Sequence, residues 1–293
     1  MRERAPGKIN LCLFLGPTRP ADGRHELVSV MQSLTLADDL ALSAADGPAD
    51  EVVCPGVAGP NLAAKALAAY RQATGYDGPP VRIDITKRVP VAAGMGGGSG
   101  DAAAALRLIA NHATGAVDEP LLLELATALG ADVPAQVRPG RALATGAGEH
   151  VRLLPDGLPF GALVLPGGRE LSTAAVYAEA DRQGLARAPE DLAARLAEVT
   201  EALQRHRDLP PHLLVNDLQP AALALAPEIA GALQQARDAG ADVAMVSGSG
   251  PTVLGLFLGP HGMRRAEAAA RFKLDGRTPT PLTAAPEPGW GER

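Results

Sequence analysis

The feature that most constrains this chain is the stretch Pro90-Val-Ala-Ala-Gly-Met-Gly-Gly-Gly-Ser-Gly-Asp101, set between an alternating apolar segment and an alanine-rich one. Five glycines fall within the seven residues 94–100. Without Cβ atoms a backbone can turn back on itself and aim successive N–H groups at one point. A helix starting there adds four unpaired donors and the positive end of its dipole. Together these make an anion cradle suited to a triphosphate. The alternative, a tight turn with close packing, requires fewer glycines than are present. No Gly-Lys-Ser/Thr closes the loop as in a Walker A motif, and its late position and glycine spacing do not fit a dinucleotide fingerprint.

The flanking pattern gives the loop its setting. Val81, Ile83 and Ile85 alternate with Arg82, Asp84 and Thr86, which predicts a half-buried strand over 81–87 leading into the glycines. After them DAAAALRLIANHATG predicts a helix ended by Gly115, and a second helix over 119–129 stops at Gly130. Upstream, the expected elements are strands over 9–15, 27–34 and 40–43 and a helix over 61–74 capped by Asn61. Downstream, GRALATG reads as a strand, and 154–159, with Pro155, Gly157 and Pro159, reads as an interdomain connection. A strand over 160–165, helices near 173–181, 192–205 and 227–239, and the strand-turn-strand VAMVSGSGPTVLGLF complete the second half. The expected division is a domain over 1–155, a second over 156–276, and a loosely ordered proline-rich tail over 277–293.

A length of 293 residues favours two domains, and 46% hydrophobic with 20% charged residues is the mix of an ordinary globular protein. The formal net charge of −6 offers no attraction to nucleic acid or anionic lipid. Cys12 and Cys54 lie outside any C-x-x-C spacing and read as free thiols of a reducing compartment. Lys8 and Asn10 interrupt the apolar N-terminal run, so it does not read as a signal peptide, and no stretch approaches the ~20 apolar residues of a membrane span. The expected location is the cytoplasm. The histidines show no metal-ligand spacing. Basic positions are nearly all arginine, with lysine only at Lys8, Lys65, Lys87 and Lys273, so each lysine carries slightly more information.

Taken singly, the polar candidates are ambiguous. Asp132, two residues before Pro134, has the pattern of a helix cap. Lys8 begins an apolar run, where a solvent-facing amine is the plain alternative. His25 closes a loop. Gly98-Ser-Gly100 and Gly248-Ser-Gly250 do not complete the G-x-S-x-G of a serine nucleophile; Ser247-Gly-Ser-Gly-Pro251 reads instead as a second glycine turn between two strands.

In order, P-G-K-I-N-L at 6–11, A-D-G-R-H-E-L at 21–27, the 90–101 loop, L-G-A-D-V-P at 129–134, N-D-L-Q-P at 216–220 and S-G-S-G-P at 247–251 resemble the GHMP kinases along nearly the whole chain. The resemblance implies a two-domain α/β (α+β) fold, with an N-terminal domain like ribosomal protein S5 domain 2 and a ferredoxin-like C-terminal domain. It implies a small-molecule kinase using ATP and Mg²⁺. Lys8 and Asp132 match the family's catalytic pair. Pro90, Val91, Ala92, Ala93, Gly94, Met95, Gly96, Gly97, Gly98, Ser99 and Gly100 match its ATP loop, with Asn61 bordering the base of the nucleotide. The K-x-N pair, the A-D-G-x-H loop and the triple glycine point within the family to a substrate bearing a cytidine diphosphate. Asn10 and His25 would hold its polyol and cytosine ends, and Thr173 and Tyr177 its diphosphate and base. Two positions depart from the family: Arg24 stands where an aromatic residue is usual, and Gly100 where a second serine is usual. The alternatives are another GHMP kinase, such as one acting on homoserine, or a catalytically silent ligand-binding protein on the same fold.

Overall fold

The computed structural model describes residues 1–57, 61–91, 93–168, 170–206, 208–277 and 279–288. The chain divides into two units, neither continuous in sequence. Met1–Lys8, Leu36–Val91 and Gly96–Pro139 form the first; Ile9–Thr35, Ala92–Met95 and Gly140–Arg293 form the second. The two long strands β1 (Arg2–Thr18) and β2 (His25–Ala44) pair with each other, and each contributes residues to both units.

In the first unit, Asp39 to Ala44 of β2 run antiparallel to β4 (Val81–Thr86), and β3 (Glu51–Val53) lies parallel to β4 on its other side. The alternation expected of β4 holds, with Val81, Ile83 and Ile85 buried and Thr86 exposed. Helices α1 (Leu62–Thr74), α2 (Gly97–Thr114), α3 (Glu119–Leu129) and the short α4 (Pro134–Val137) complete the unit. α2 is buried all round from Gly100 to Ala110, and its run of alanines lets α1 pack closely against it. Leu40, Leu42, Leu67, Ile83, Ile85, Leu106, Ile109 and Leu122 centre this core.

In the second unit, residues 29–32 of β2 pair with β5 (Arg141–Thr145), which pairs with β6 (His150–Leu154). A separate antiparallel sheet joins β7 (Phe160–Leu165), β8 (Val243–Val246), β9 (Val253–Leu258) and β10 (Leu282–Ala284) in the order β10-β7-β9-β8. Helices α5 (Thr173–Gln183), α6 (Pro189–His206), α7 (Gln219–Leu225), α8 (Ile229–Asp238) and α9 (Gly262–Phe272) belong to this unit. Its core gathers Leu163, Leu165, Val176, Ile229, Leu233 and Phe257 around Leu13 and Leu15.

The strands expected over 27–34 and 40–43 are one continuous strand. The polar residues between them do not end it, because Asp38 is fully buried and its Oδ1 accepts the N–H groups of Arg88 at 2.6 Å and Val89 at 2.8 Å. The tail also departs from expectation: Leu282, Thr283 and Ala284 pair with Val164, Leu163 and Ala162 as an edge strand. Helices α7 and α9 were not marked in the sequence, and neither has a side chain capping its start. Among the described residues, no helix is long and apolar enough to cross a membrane.

Candidate active site

The glycine segment turns through Gly94 and Gly96, at φ 68° and 63°, a left-handed region that strains a residue bearing a Cβ. The Gly100 N–H donates to the Gly96 carbonyl at 2.8 Å and so begins α2. The amides of Gly97, Gly98 and Ser99 are then left without intrahelical acceptors at the positive end of the helix. A Cβ added to Gly98 would meet nothing within 4 Å, so this turn has an open side. Ala93 and Met95 are buried and anchor the loop, whereas Val91 is exposed and Pro90 half-buried. Ala92 lies outside the described residues. At Gly100 a Cβ would stand 3.0 Å from the carbonyl oxygen of Pro6, a steric reason for glycine at that position.

Lys8 and Asp132 come together at this turn. Lys8 Nζ lies 3.3 Å from Asp132 Oδ2; the lysine side chain is 7% exposed and the carboxylate 37%. The stem of Lys8 runs beneath the glycines, since a Cβ on Gly96 would stand 3.0 Å from Lys8 Cγ and 3.1 Å from Cε. Asp132 is not a helix cap: Val133 holds that position for α4, and no side chain caps it. A buried ammonium needs a counter-charge, and the Asp132 carboxylate at this distance supplies one.

A second charged cluster supports the same turn and was not singled out in the sequence. Lys87, the residue after β4, donates to Asp38 Oδ2 and, at 2.8 Å, to Asp101 Oδ2 in α2. Burial pushes the Asp101 carboxyl up to about 6, against the opposing pull of the Lys87 charge. Burial alone would lower the Lys87 ammonium, but Asp101 and Asp38 raise it. The scarcity of lysine in this arginine-rich chain was the available signal.

Apart from Asn61, which lies in the first unit, the second unit holds the remaining candidates. Residues 19–24 form the turn between β1 and β2, closed by Arg19 N–H to the Arg24 carbonyl at 2.8 Å and braced by ion pairs of Arg19 with Asp22 and Glu149. His25 is buried behind it, with Nδ1 2.9 Å from the Gly16 carbonyl and Nε2 3.0 Å from Asp181 Oδ1. Because a carbonyl only accepts, Nδ1 carries a proton, and Nε2 is left to Asp181 Oδ1 and, at 3.4 Å, to Thr18 Oγ1. The Tyr177 ring of α5 lies 5.4 Å from the His25 ring, centroid to centroid. Thr173 Oγ1, at the start of α5, lies 3.0 Å from Ser249 Oγ in the second glycine turn. That turn touches the first backbone to backbone, since a Cβ on Gly94 would stand 2.7 Å from the Gly250 oxygen and 2.9 Å from that of Ser247.

Asn10 is buried and donates to Ser29 Oγ at 2.7 Å. Asn61 caps α1, its side chain accepting from the Ala63 N–H at 2.8 Å. Arg24 is exposed and donates to the Ala147 carbonyl at 2.8 Å. The N-D-L-Q-P motif has a structural explanation: Asn216 Nδ2 donates to the carbonyls of Val246 at 2.8 Å and Gly248 at 2.7 Å, which fixes the second glycine turn.

The first unit thus carries a glycine turn at a helix start, with a buried lysine paired to an exposed aspartate beneath it. Two family descriptions match the chain, GHMP kinases N terminal domain over residues 61–140 and GHMP kinases C terminal over residues 190–276. The chain belongs to the GHMP kinase family. More particularly, it is 38% identical to the 4-diphosphocytidyl-2-C-methyl-D-erythritol kinase of Streptomyces avermitilis, over 98% of this chain and 97% of that one. It is 42% identical to the kinase of the same name from Anaeromyxobacter dehalogenans, over 93% and 85%. A crystal structure of 4-(cytidine 5'-diphospho)-2C-methyl-D-erythritol kinase superposes with a TM-score of 0.76 at 32% identity, covering 97% of this chain and 98% of the other. Homoserine kinase from Cytophaga hutchinsonii shares the fold, with a TM-score of 0.73 at 16% identity.

Proposed function

We propose that this chain transfers the γ-phosphate of ATP to a hydroxyl of 4-diphosphocytidyl-2-C-methyl-D-erythritol, giving the 2-phosphate, in the cytoplasmic non-mevalonate route to isoprenoid precursors. The observation that carries the reading is the meeting of Lys8, Asp132 and the open first turn of α2 at Gly96. The names of relatives that match nearly the whole chain support the choice of substrate.

In this reading the Asp132 carboxylate accepts the proton of the substrate hydroxyl as its oxygen bonds to the γ-phosphorus. The bond from that phosphorus to the β-phosphate bridging oxygen breaks, and ADP leaves with the electron pair. Lys8 pairs with Asp132 and faces the charge that builds on the phosphoryl oxygens. The amides of Gly97, Gly98 and Ser99 orient the phosphates, and Pro90 to Gly100 with Asn61 border the nucleotide. Phosphoryl transfer is mostly positioning and electrostatics, so these groups together with Mg²⁺ would suffice. Among the described residues no group of three or more His, Cys, Asp or Glu could hold a metal ion. The protein oxygen that would help hold Mg²⁺ beside the triphosphate is the Ser99 hydroxyl, and the ion would supply neutralisation of phosphate charge there.

Asn10 would hold the polyol, His25 and Tyr177 the cytosine, and Thr173 the diphosphate. The test is a phosphotransfer assay with Mg-ATP, comparing 4-diphosphocytidyl-2-C-methyl-D-erythritol with homoserine and mevalonate. A new phosphomonoester on the cytidylyl compound alone is expected. Transfer to homoserine at equal kcat/KM would reject the substrate, and no transfer to any of the three would reject the activity.

A further inference from the structure

The Lys8–Asp132 pair joins two segments far apart in sequence, and a third residue ties those segments together. Arg107, the eleventh residue of α2, is only 2% exposed although it carries a full charge. Its Nη1 donates to the carbonyls of Gln136 at 2.8 Å and Val137 at 3.3 Å. Its Nη2 donates to the Arg4 carbonyl at 3.0 Å, and Glu3 Oε2 accepts from Nη2 at 3.3 Å and Nε at 3.4 Å. One guanidinium thus holds β1 four residues before Lys8 and α4 four residues after Asp132. A second tie runs beside it, from Gln136 Nε2 to the Pro6 carbonyl at 3.3 Å.

The chemistry explains why an arginine does this. A four-residue helix leaves its carbonyls without intrahelical donors, and Arg107 supplies donors to the last two of α4. Burying a guanidinium is costly unless its N–H groups are answered, and three backbone carbonyls with one carboxylate answer them here. The planar fork fixes the directions of its hydrogen bonds, so it also fixes the span between the two segments, which a flexible ammonium would not do. Every neighbouring buried position of α2 from Ala102 to Ala110 is alanine, leucine or isoleucine, so the charge serves no general packing pattern of that helix.

We propose that Arg107 is a positioning residue for phosphoryl transfer, setting the separation of Lys8 and Asp132 through the carbonyls of Arg4, Gln136 and Val137. The inference rests on the reading of Lys8 and Asp132 as the catalytic pair. A displacement of about 1 Å between reacting groups can cost up to roughly a hundredfold in rate. Removing the fork is therefore expected to act on kcat, while the open amides at the start of α2 keep their hold on the nucleotide.

The test compares Arg107→Met, Arg107→Lys, Asp132→Asn and Leu106→Ala, the last truncating the adjacent core side chain. Arg107→Met is expected to lose about tenfold or more in kcat with KM for ATP within about twofold of wild type. Arg107→Lys should fall between, and Leu106→Ala should lose melting temperature without a matching loss of kcat. An unchanged kcat in folded Arg107→Met, with Asp132→Asn inactive, overturns the inference and leaves the catalytic pair standing. An active Asp132→Asn removes the reading beneath it. An equal loss of kcat in Leu106→Ala assigns Arg107 to stability alone. If Arg107→Met does not fold, the same split of kcat and KM in Arg107→Lys decides.

Discussion

Lys8 Nζ stands 3.3 Å from Asp132 Oδ2, with the ammonium buried and the carboxylate reaching solvent. A buried cation facing a partly exposed anion leaves one side of the carboxylate free for a substrate hydroxyl. Asp132→Asn should therefore lower kcat by about 10²–10⁴-fold, the usual worth of a positioned proton acceptor. Nucleotide affinity, read by titration with ATP, should stay within a few-fold, and melting temperature should change little because Asp132 caps no helix. Turnover close to wild type would reject the assignment.

The glycines of the cradle are not equivalent, and two of them make a paired test. Gly96 has φ 63° and no room, with Lys8 Cγ 3.0 Å from an added Cβ. Gly96→Ala should cost about 1–2 kcal/mol in stability from the left-handed backbone alone, and it should lower kcat by shifting Lys8. Gly98 is helical and open. Gly98→Ala should leave thermal stability near wild type yet raise KM for ATP, because the methyl stands where phosphate must approach. Matching losses of stability in both variants would favour a packing role for the whole loop.

Burial raises the Asp101 carboxyl to about 6 although Lys87 lies 2.8 Å away. A raised acidic group binds its proton more tightly in the folded state, so its stabilising contribution is complete below the unfolded value near 4. That contribution is lost as pH rises through about 6. Asp101→Asn removes this titration. The melting temperature of the variant minus that of wild type should consequently increase between pH 4.5 and pH 7.5, whatever its sign at either end. A flat or falling difference would mean that Lys87 keeps Asp101 ionised throughout.

Much of this was legible in sequence because it rests on local rules. Alternation marked β4, the glycines marked the turn before α2, and Asn61 announced the start of α1. What escaped depends on partners distant along the chain. Asp38 lies in the gap between the strands expected over 27–34 and 40–43, and it is answered by the amides of Arg88 and Val89, fifty residues on. Arg107 is a lone charge in an alanine-rich helix, and only the fold shows the carbonyls that bury it. Asp132 taken alone read as a cap, and Val133 takes that place. The edge strand β10 hides in a proline-rich tail because an edge needs only one row of hydrogen bonds.

The last prediction concerns the base. His25 gives its Nδ1–H to the Gly16 carbonyl, which holds the ring in place and leaves Nε2 as the nitrogen able to meet a ligand, close to the Tyr177 ring. Nε2 also lies 3.0 Å from the exposed Asp181 carboxylate, a partner that cytosine would have to displace or share. His25→Ala should raise KM for the cytidylyl substrate by about two- to tenfold, the worth of one hydrogen bond of 0.5–1.5 kcal/mol, and leave KM for ATP unchanged. Asp181→Ala should lower that KM or leave it unchanged, since it removes the carboxylate that competes for Nε2 and leaves only Thr18 Oγ1 at 3.4 Å. Arg24→Ala should have the smaller effect, because its guanidinium is held by the Ala147 carbonyl rather than lying free as a stacking plane. If Arg24→Ala raises the substrate KM more than His25→Ala does, the guanidinium has taken over the role of the family's aromatic residue, and reading of the base passes from His25 to Arg24.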